Sequence, residues 1–144
     1  MQVGKDFHNN VNVVRGISPI AIGTTGTGQT TAAIDRSGYG AVEFIVEYGA
    51  VTTATGVHTV LITESDASTG GFTSVADTDL LGTELAAGLA AATRVSGTTQ
   101  HVKKKVGYIG TKKYVKAKVS STATAGTLVS ITPLLVNPRH APVT

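Results

Sequence analysis

The chain has 144 residues, a length that suits one domain and leaves too little material for two cores. Hydrophobic residues make up 41% and charged residues 15%, which excludes disorder driven by an excess of charge. The absence of cysteine excludes disulfides, thiolate metal sites and cysteine nucleophiles. We therefore expect a single domain over residues 1–144, stabilised by burial or by association.

Apolar residues are too dispersed to form a membrane-spanning helix, which needs a run of about 18. The first ten residues also lack the apolar segment of a signal peptide. The sequence therefore predicts neither membrane insertion nor secretion by a signal peptide.

Charge is distributed unevenly along the chain. All nine acidic residues lie within residues 1–84, where three basic residues leave a net charge of −6. Residues 85–144 carry nine basic residues and no acidic one, a net charge of +9. Such asymmetry indicates either a nucleic-acid footprint or complementary surfaces, within the fold or between copies.

Short strands joined by turns are expected, because Gly, Thr, Ser and Val are abundant and helix-favouring residues are few. The first strand material spans residues 11–22, with breaks expected at Gly16 and Pro19.

Two further strands are predicted in the first half of the chain. Residues 42–48 alternate, with Glu43 and Glu47 on the face opposite the apolar side chains. Residues 57–63 contain three consecutive apolar residues, a pattern that predicts a central strand covered on both sides.

One helix candidate spans residues 80–92, with Asp79 available as its N-terminal cap. Gly82 and Gly88 each cost about 0.5–1 kcal/mol in a helix interior relative to Ala. An extended segment of closely packed small residues is the alternative for this stretch.

The last two predicted strands lie in the basic half. Residues 113–119 alternate, which places Lys116 and Lys118 on one face and apolar side chains on the other. Residues 128–136 are strongly apolar but contain Pro133, for which we expect an edge position or a bulge. The pattern of about six to eight short strands indicates an all-β sandwich, jelly roll or small barrel.

Two stretches resemble ligand-binding motifs, but both motifs are incomplete. Residues 23–31 are rich in Gly and Thr but lack the lysine of a phosphate-binding loop, since Gln29 follows the last glycine. Residues 77–88 lack the final Glu of a calcium loop, where Gly88 stands instead, so a turn is favoured and ion binding stays an alternative.

Catalytic and metal-binding residues are not evident either. The four histidines are far apart in sequence, and no nucleophile elbow of the G-x-S-x-G kind occurs, although a triad assembled in space stays an alternative. We therefore predict no enzyme activity, no metal and no cofactor.

The most concentrated feature is a run of seven lysines between residues 103 and 118. They are Lys103, Lys104, Lys105, Lys112, Lys113, Lys116 and Lys118. With two tyrosines interleaved they could bind a phosphate backbone. Single-strand binders usually add arginine and several stacking aromatics, and only 5% of this chain is aromatic. Protection of a strand edge, or contact with an acidic surface of another subunit, is therefore favoured over nucleic acid.

Three stretches in fixed order share motifs with one family. The first has DFHNN at 6–10, VRGISP at 14–19, ID at 34–35, GY at 38–39 and VEF at 42–44. The second has ESD at 64–66, FTSV at 72–75 and DTDLLGT at 77–83. The third has KVGYIG at 105–110, KYV at 113–115 and NPRHAP at 137–142. In these stretches the chain resembles capsid cement or decoration proteins of tailed bacteriophages.

The resemblance implies a jelly-roll-like β-sandwich of about eight short strands. It also implies a place in the virion, on the outer face of an icosahedral capsid. The implied partner is the major capsid protein of an HK97-type shell, which a homodimer would contact so as to bridge neighbouring capsomers. The Thr/Gly loop at residues 23–31 is longer than the resemblance leads us to expect.

Candidate contact residues lie in the two extended ends, residues 6–19 and 136–142, and in the lysine-rich region. They are Asp6, His8, Arg15, Lys103, Lys104, Lys105, Lys116, Lys118, Arg139 and His140. Two alternatives stay open: a nucleic-acid-binding domain that uses Lys103–Lys118, and a receptor- or glycan-binding sandwich of a virion. The absence of tryptophan weakens the glycan alternative, because sugar platforms usually use aromatic faces.

Overall fold

The computed structural model describes residues 6–22, 28–51, 56–94, 99–122 and 127–140. Within these ranges the chain forms twelve strands and two 3-10 turns, His8–Asn10 and Asp77–Asp79, and no α-helix. The strands are β1 (Val11–Val13), β2 (Ile17–Ile22), β3 (Gln29–Thr30), β4 (Ile34–Asp35), β5 (Tyr39–Val51), β6 (Gly56–Ser65), β7 (Thr73–Ser74), β8 (Leu80–Leu81), β9 (Ala92–Arg94), β10 (Val102–Tyr108), β11 (Tyr114–Ser121) and β12 (Thr127–Pro138). The predicted all-β class is confirmed.

The strands form two antiparallel sheets. Sheet A has the order β1-β12-β5-β10-β8, with β2 also paired to β12. Sheet B has the order β3-β11-β6-β7, with β4 paired to β11 and β9 to β6. Successive strands mostly change sheet, so the long strands β5, β10 and β12 of sheet A alternate along the chain with β6 and β11 of sheet B. This arrangement gives a β-sandwich of two antiparallel sheets.

The core lies between the sheets and is a single cluster. Alternate residues of β5 fill it: Val42, Phe44, Val46 and Tyr48 are all buried. The alternation predicted for residues 42–48 is confirmed, because their large apolar side chains pack on the opposite sheet while the two glutamates face outward.

Sheet B follows the same rule. Val115, Ala117 and Val119 of β11 are buried while Lys116 and Lys118 face outward, as predicted. Strand β6 is central in its sheet, as predicted, but it is not covered on both sides. Leu61 is 37% exposed, because only one face of sheet B packs on the core.

The helix considered for residues 80–92 does not form. Leu80 and Leu81 pair with β10, and the following residues make a series of turns. Gly82 and Gly88 adopt positive φ angles of 67° and 70°, which an α-helix does not contain. Leu89, the one fully buried large side chain in these turns, joins the core.

These turns also complete the edge of β6 between its pairings with β9 and β7. The Val60 N–H donates to the Leu89 carbonyl at 2.9 Å, and the Ile62 N–H donates to Glu84 Oε1 at 3.1 Å. Backbone donors that would otherwise be left at an edge are thereby satisfied.

Pro133 lies in β12, which is central in sheet A, so the edge position expected for it is wrong. The register shifts of β12 come earlier, between Thr127 and Ile131, and Pro133 itself is in register with Phe44, so the alternative of a bulge at Pro133 is wrong as well. Its carbonyl accepts a hydrogen bond from the Val14 N–H at 3.1 Å, which shows that its backbone faces the interval between β1 and β2. Proline has no backbone N–H to donate. Pro133 is tolerated here because the hydrogen bonds between β12 and its neighbours β1 and β2 are already interrupted at Gly16. Pro19 does not end a strand as expected, but lies within β2 near a register shift.

Candidate interaction surface

The five lysines predicted to form one contact region lie on different faces. Lys103 and Lys105 project from the outer face of sheet A, since Lys103 is the register partner of the outward-facing Glu47. Lys116 and Lys118 project from the outer face of sheet B. The two pairs are therefore on opposite sides of the sandwich.

Lys104 points away from both pairs. Its register partner is Val46, a core residue, so its side chain leaves β10 on the inner side of sheet A. There its Nζ would lie 3.8 Å from a Cβ placed on Gly88. The predicted five thus form two separate pairs, Lys103 with Lys105 and Lys116 with Lys118, and Lys104 belongs to neither.

These two lysines lie on an open strand edge. Along the described chain, β10 pairs with β5 over its full length but with β8 only at Gly107 and Tyr108. Lysines at such an edge oppose pairing with another chain. Lys103 Nζ lies 3.5 Å from Glu47 Oε1, and because both side chains are largely exposed the ion pair contributes little to stability.

Apolar side chains are grouped on the outer side of sheet A. We call this surface the apolar face; it consists of Val11, Val13, Ile45, Leu81, Leu134 and Val136, which lie around Glu43. Val13 is 64% exposed and Leu81 53%. Exposed apolar residues that are grouped on one surface, unlike single scattered ones, are typical of a contact site.

Glu43 lies in the middle of the apolar face. Burial raises the pKa of its carboxyl above the usual range, and the nearby Lys105 ammonium partly offsets this effect. Gly107 makes room for the carboxylate: a Cβ at position 107 would lie 2.7 Å from Glu43 Oε2. The half-buried Glu43 carboxyl therefore lies in surroundings that disfavour its charged form.

The two ends predicted to contact a partner are brought together. Val11 of β1 pairs with Val136 of β12, so residues 6–10 and 137–140 lie at the same end of the sandwich. Asp6 accepts hydrogen bonds from the Asn9 backbone N–H at 3.2 Å and from the Asn9 amide, and these bonds lower the pKa of its carboxyl. His8 and His140 are both exposed there.

Arg15 lies apart from these residues. It is exposed at the break between β1 and β2, where it lines a cleft of about 460 Å³ with Ile17, Pro19 and Gln29. The structure therefore does not join Arg15 to Arg139, although the sequence analysis proposed both as contact residues.

A second group of cations was missed by sequence reasoning. Arg36, Lys112, Lys113 and Arg139 line a cleft of about 220 Å³, which we call the basic cleft. It is formed by the connection from β4 to β5, the connection from β10 to β11 and the end of β12. In the sequence, the position of Arg36 directly before the Ser37-Gly38 turn was the one indication of this group. The nearness of Arg36 to Arg139 could not be predicted, because it depends on the pairing of β5 with β12.

Hydrogen bonds hold the floor of the basic cleft. Arg36 Nε donates to the Lys112 carbonyl at 2.8 Å, and its guanidinium carbon lies 5.6 Å from the centre of the Tyr108 ring. The Tyr108 hydroxyl donates to Glu64 Oε2 at 2.5 Å and accepts from the Lys112 N–H at 3.0 Å. Burial, reinforced by the Glu64 bond, raises the pKa of Tyr108, so its phenol keeps its proton.

Across the ranges that the structure describes, no group of three or more His, Asp or Glu side chains could hold a metal ion. Nor do those ranges contain a helix with the length and apolar character needed to cross a membrane.

Comparison with solved structures finds distant structural likenesses. No family model and no curated protein sequence matches the chain. Among solved structures, it is similar to the CBM22-1 and GH10 modules of the Clostridium thermocellum N-terminal endo-1,4-β-D-xylanase 10B, complexed with xylohexaose. The identity is 11% and the TM-score 0.47; the match covers 96% of this chain and 28% of the xylanase chain. So distant a likeness does not bear on function.

Proposed function

We propose that this chain is a structural virion protein that binds the outer surface of an icosahedral phage capsid and cements neighbouring capsomers. The observation that carries the proposal is the apolar face. Strand β1, at the border of the apolar face, pairs with β12, so residues 6–10 and 137–140 lie beside this face. A group of exposed apolar residues of this kind is suited to binding another protein, and the motif resemblance indicates what it would contact.

The physical role would be to stabilise the assembled shell. A protein that binds the assembled lattice better than free subunits adds its binding free energy to assembly. A buried area of about 600–800 Å² per partner would be enough for each copy. A copy that contacts two capsomers at once binds more tightly than either contact alone would allow.

The proposed partner is the major capsid protein of an HK97-type shell, and the proposed location is the outer face of the virion. We further propose that the protein acts as a homodimer, which would let one unit reach two capsomers. Lys103 and Lys105, which border the apolar face, would meet acidic groups of the shell.

Nucleic-acid binding is less well supported. A phosphate backbone needs a continuous basic track, whereas the lysines of the 103–118 region lie on opposite faces. A glycan platform is also less well supported, since Phe44, Tyr48 and Tyr108 are buried in the core. Lys116 Nζ covers the Phe72 ring at 4.1 Å from its centre.

The test uses purified phage heads and the recombinant chain in a co-sedimentation assay. The wild-type protein should bind heads at a fixed ratio to the shell protein, and Val13→Asp should reduce that ratio at least about tenfold by placing a charge in an apolar contact. Leu61→Asp, on the opposite sheet, is the matched control and should bind like the wild type. Failure of the wild type to bind, or full binding by Val13→Asp with its fold intact, would overturn the proposal.

A further inference from the structure

We infer that the basic cleft binds a carboxylate side chain from an acidic segment of a polypeptide partner, with Arg36 and Arg139 as the recognising groups. The cleft lies at the end of the sandwich, away from the centre of the apolar face. The inference therefore goes beyond the proposed function and does not require that the partner be a capsid.

Charge pairing leaves the two arginines as the effective cations. Lys112 Nζ lies 2.6 Å from Asp66 Oδ2, and Lys113 Nζ lies 3.7 Å from Asp35 Oδ2. These ion pairs neutralise both lysines locally. Among the described residues, neither Asp nor Glu pairs with the guanidinium of Arg36 or Arg139. With the Glu64 carboxylate below Tyr108 also counted, the cleft keeps an excess of one positive charge.

Arg36 is held in place before any ligand arrives. Its Nε donates to the Lys112 carbonyl, its Nη1 donates to the Tyr39 carbonyl at 3.3 Å, and its plane lies against the Tyr108 ring. Its Nη2 has no hydrogen-bond partner in the described part of the chain. Because Nη1 also donates to the Gly40 carbonyl at 3.5 Å, Nη2 is the group left to bind a carboxylate. A guanidinium that is already fixed in this way loses little conformational entropy on binding.

Arg139 supplies the opposite wall. Its backbone N–H donates to the Gly38 carbonyl at 2.8 Å, which fixes its main chain beside the turn that follows Arg36. Its exposed side chain keeps the freedom to close over a ligand. Guanidinium groups favour planar, two-oxygen anions, which they bind through two parallel hydrogen bonds.

The size of the basic cleft suits one acidic side chain of a polypeptide. Its volume of about 220 Å³ is below that of common small-molecule sites but accommodates such a side chain.

The experiment measures fluorescence anisotropy of a labelled peptide of alternating Glu and Gly with blocked ends. A matched Gln/Gly peptide controls for charge. The wild type should bind the Glu peptide at low ionic strength and not the Gln peptide. Arg139→Gln should weaken binding about tenfold or more through loss of a charge-assisted bond, whereas Arg15→Gln, at the other cleft, should not.

A second measurement locates the site. Amide chemical shifts of Gly38 and Thr111, which line the cleft, should move on titration of the wild type with the Glu peptide. Equal binding of both peptides, or an unchanged affinity in Arg139→Gln, would overturn the inference. Displacement of the Glu peptide by inorganic phosphate at concentrations where acetate has no effect would assign the cleft to phosphate and overturn it as well.

Discussion

The hydroxyl of Tyr108 in sheet A donates to the carboxylate of Glu64 in sheet B across 2.5 Å, so this hydrogen bond joins the two sheets. The same hydroxyl accepts the Lys112 N–H, which ties the connection between β10 and β11 to the core. One side chain therefore fixes both the spacing of the sheets and the floor of the basic cleft.

Tyr108→Phe should lower the free energy of unfolding by about 1–3 kcal/mol, because Glu64 and the Lys112 N–H lose a hydrogen-bond partner. Denaturant unfolding at pH 7 measures the change. Tyr39→Phe is the matched control, since the Tyr39 hydroxyl has no hydrogen-bond partner within the described ranges. Equal losses in both variants would contradict the assigned role.

The raised pKa of Tyr108 predicts a pH dependence. The unfolded phenol ionises near pH 10 while the folded phenol keeps its proton. The folded state then binds more protons than the unfolded state, so its contribution to stability is complete below pH 10 and is lost as the pH rises further. The stability difference between wild type and Tyr108→Phe should accordingly shrink as the pH rises above 10.

Gly16→Ala should destabilise the protein by about 1–3 kcal/mol or more, because the chain passes too close to β12 for a side chain. A Cβ at position 16 would collide with the Ile131 carbonyl oxygen and lie 2.5 Å from Pro133 Cδ. Thermal unfolding measures the loss. Gly70→Ala, where a Cβ would meet nothing within 4 Å, should change stability little; a similar loss there would show that close approach is not the cause.

Glu43→Gln should stabilise the isolated protein at pH 7. Burial raises the pKa of Glu43, so the folded state favours the protonated form and stability falls as the pH rises from the unfolded value of about 4.5 through the folded one. The gain should vanish near pH 3, where the wild-type carboxyl is neutral in both states. Glu47→Gln, on the same face but more exposed, should show a smaller effect.

The open edge of β10 predicts a specific form of aggregation. Replacing both Lys103 and Lys105 by threonine should increase self-association, because the open edge loses the charges that oppose pairing. Light scattering at several protein concentrations measures this. Lys116→Thr with Lys118→Thr removes the same charge from a strand that is paired on both sides, and should leave the protein monodisperse or unchanged.

The proposed capsid contact predicts a salt dependence that differs between the two sheets. Occupancy on heads should fall as ionic strength rises, since exposed charges are screened beyond about 8 Å at physiological salt. Lys103→Gln with Lys105→Gln should weaken that dependence, whereas Lys116→Gln with Lys118→Gln should not. Salt-independent occupancy of the wild type would indicate apolar docking alone.

The alternation of buried and exposed side chains along a single strand could be predicted, because it depends only on every second residue of the local sequence. β5 and β11 show it clearly, since each has a core on one face and charges on the other. The sequence did not reveal which sheet each strand joins. Lys103 and Lys118 therefore seemed parts of one cluster, whereas β10 and β11 belong to different sheets.

The basic cleft was hidden for the same reason. Arg36 and Arg139 come from distant parts of the chain and meet because Tyr39 is in register with Pro138. The helix candidate failed for a different reason. Its small residues and positive φ angles at Gly82 and Gly88 allow turns that bury Leu89, and this tertiary contact outweighs weak helix propensity.

The edge of β6 is closed by pieces from three separate parts of the chain: β9, the Glu84–Leu89 turns and β7. An edge covered by separate segments presents no continuous unpaired strand with which a strand of another molecule could pair. Pairing with another chain along sheet B is thereby opposed by the architecture of this edge, whereas at the open edge of β10 in sheet A it is opposed by the charges of Lys103 and Lys105.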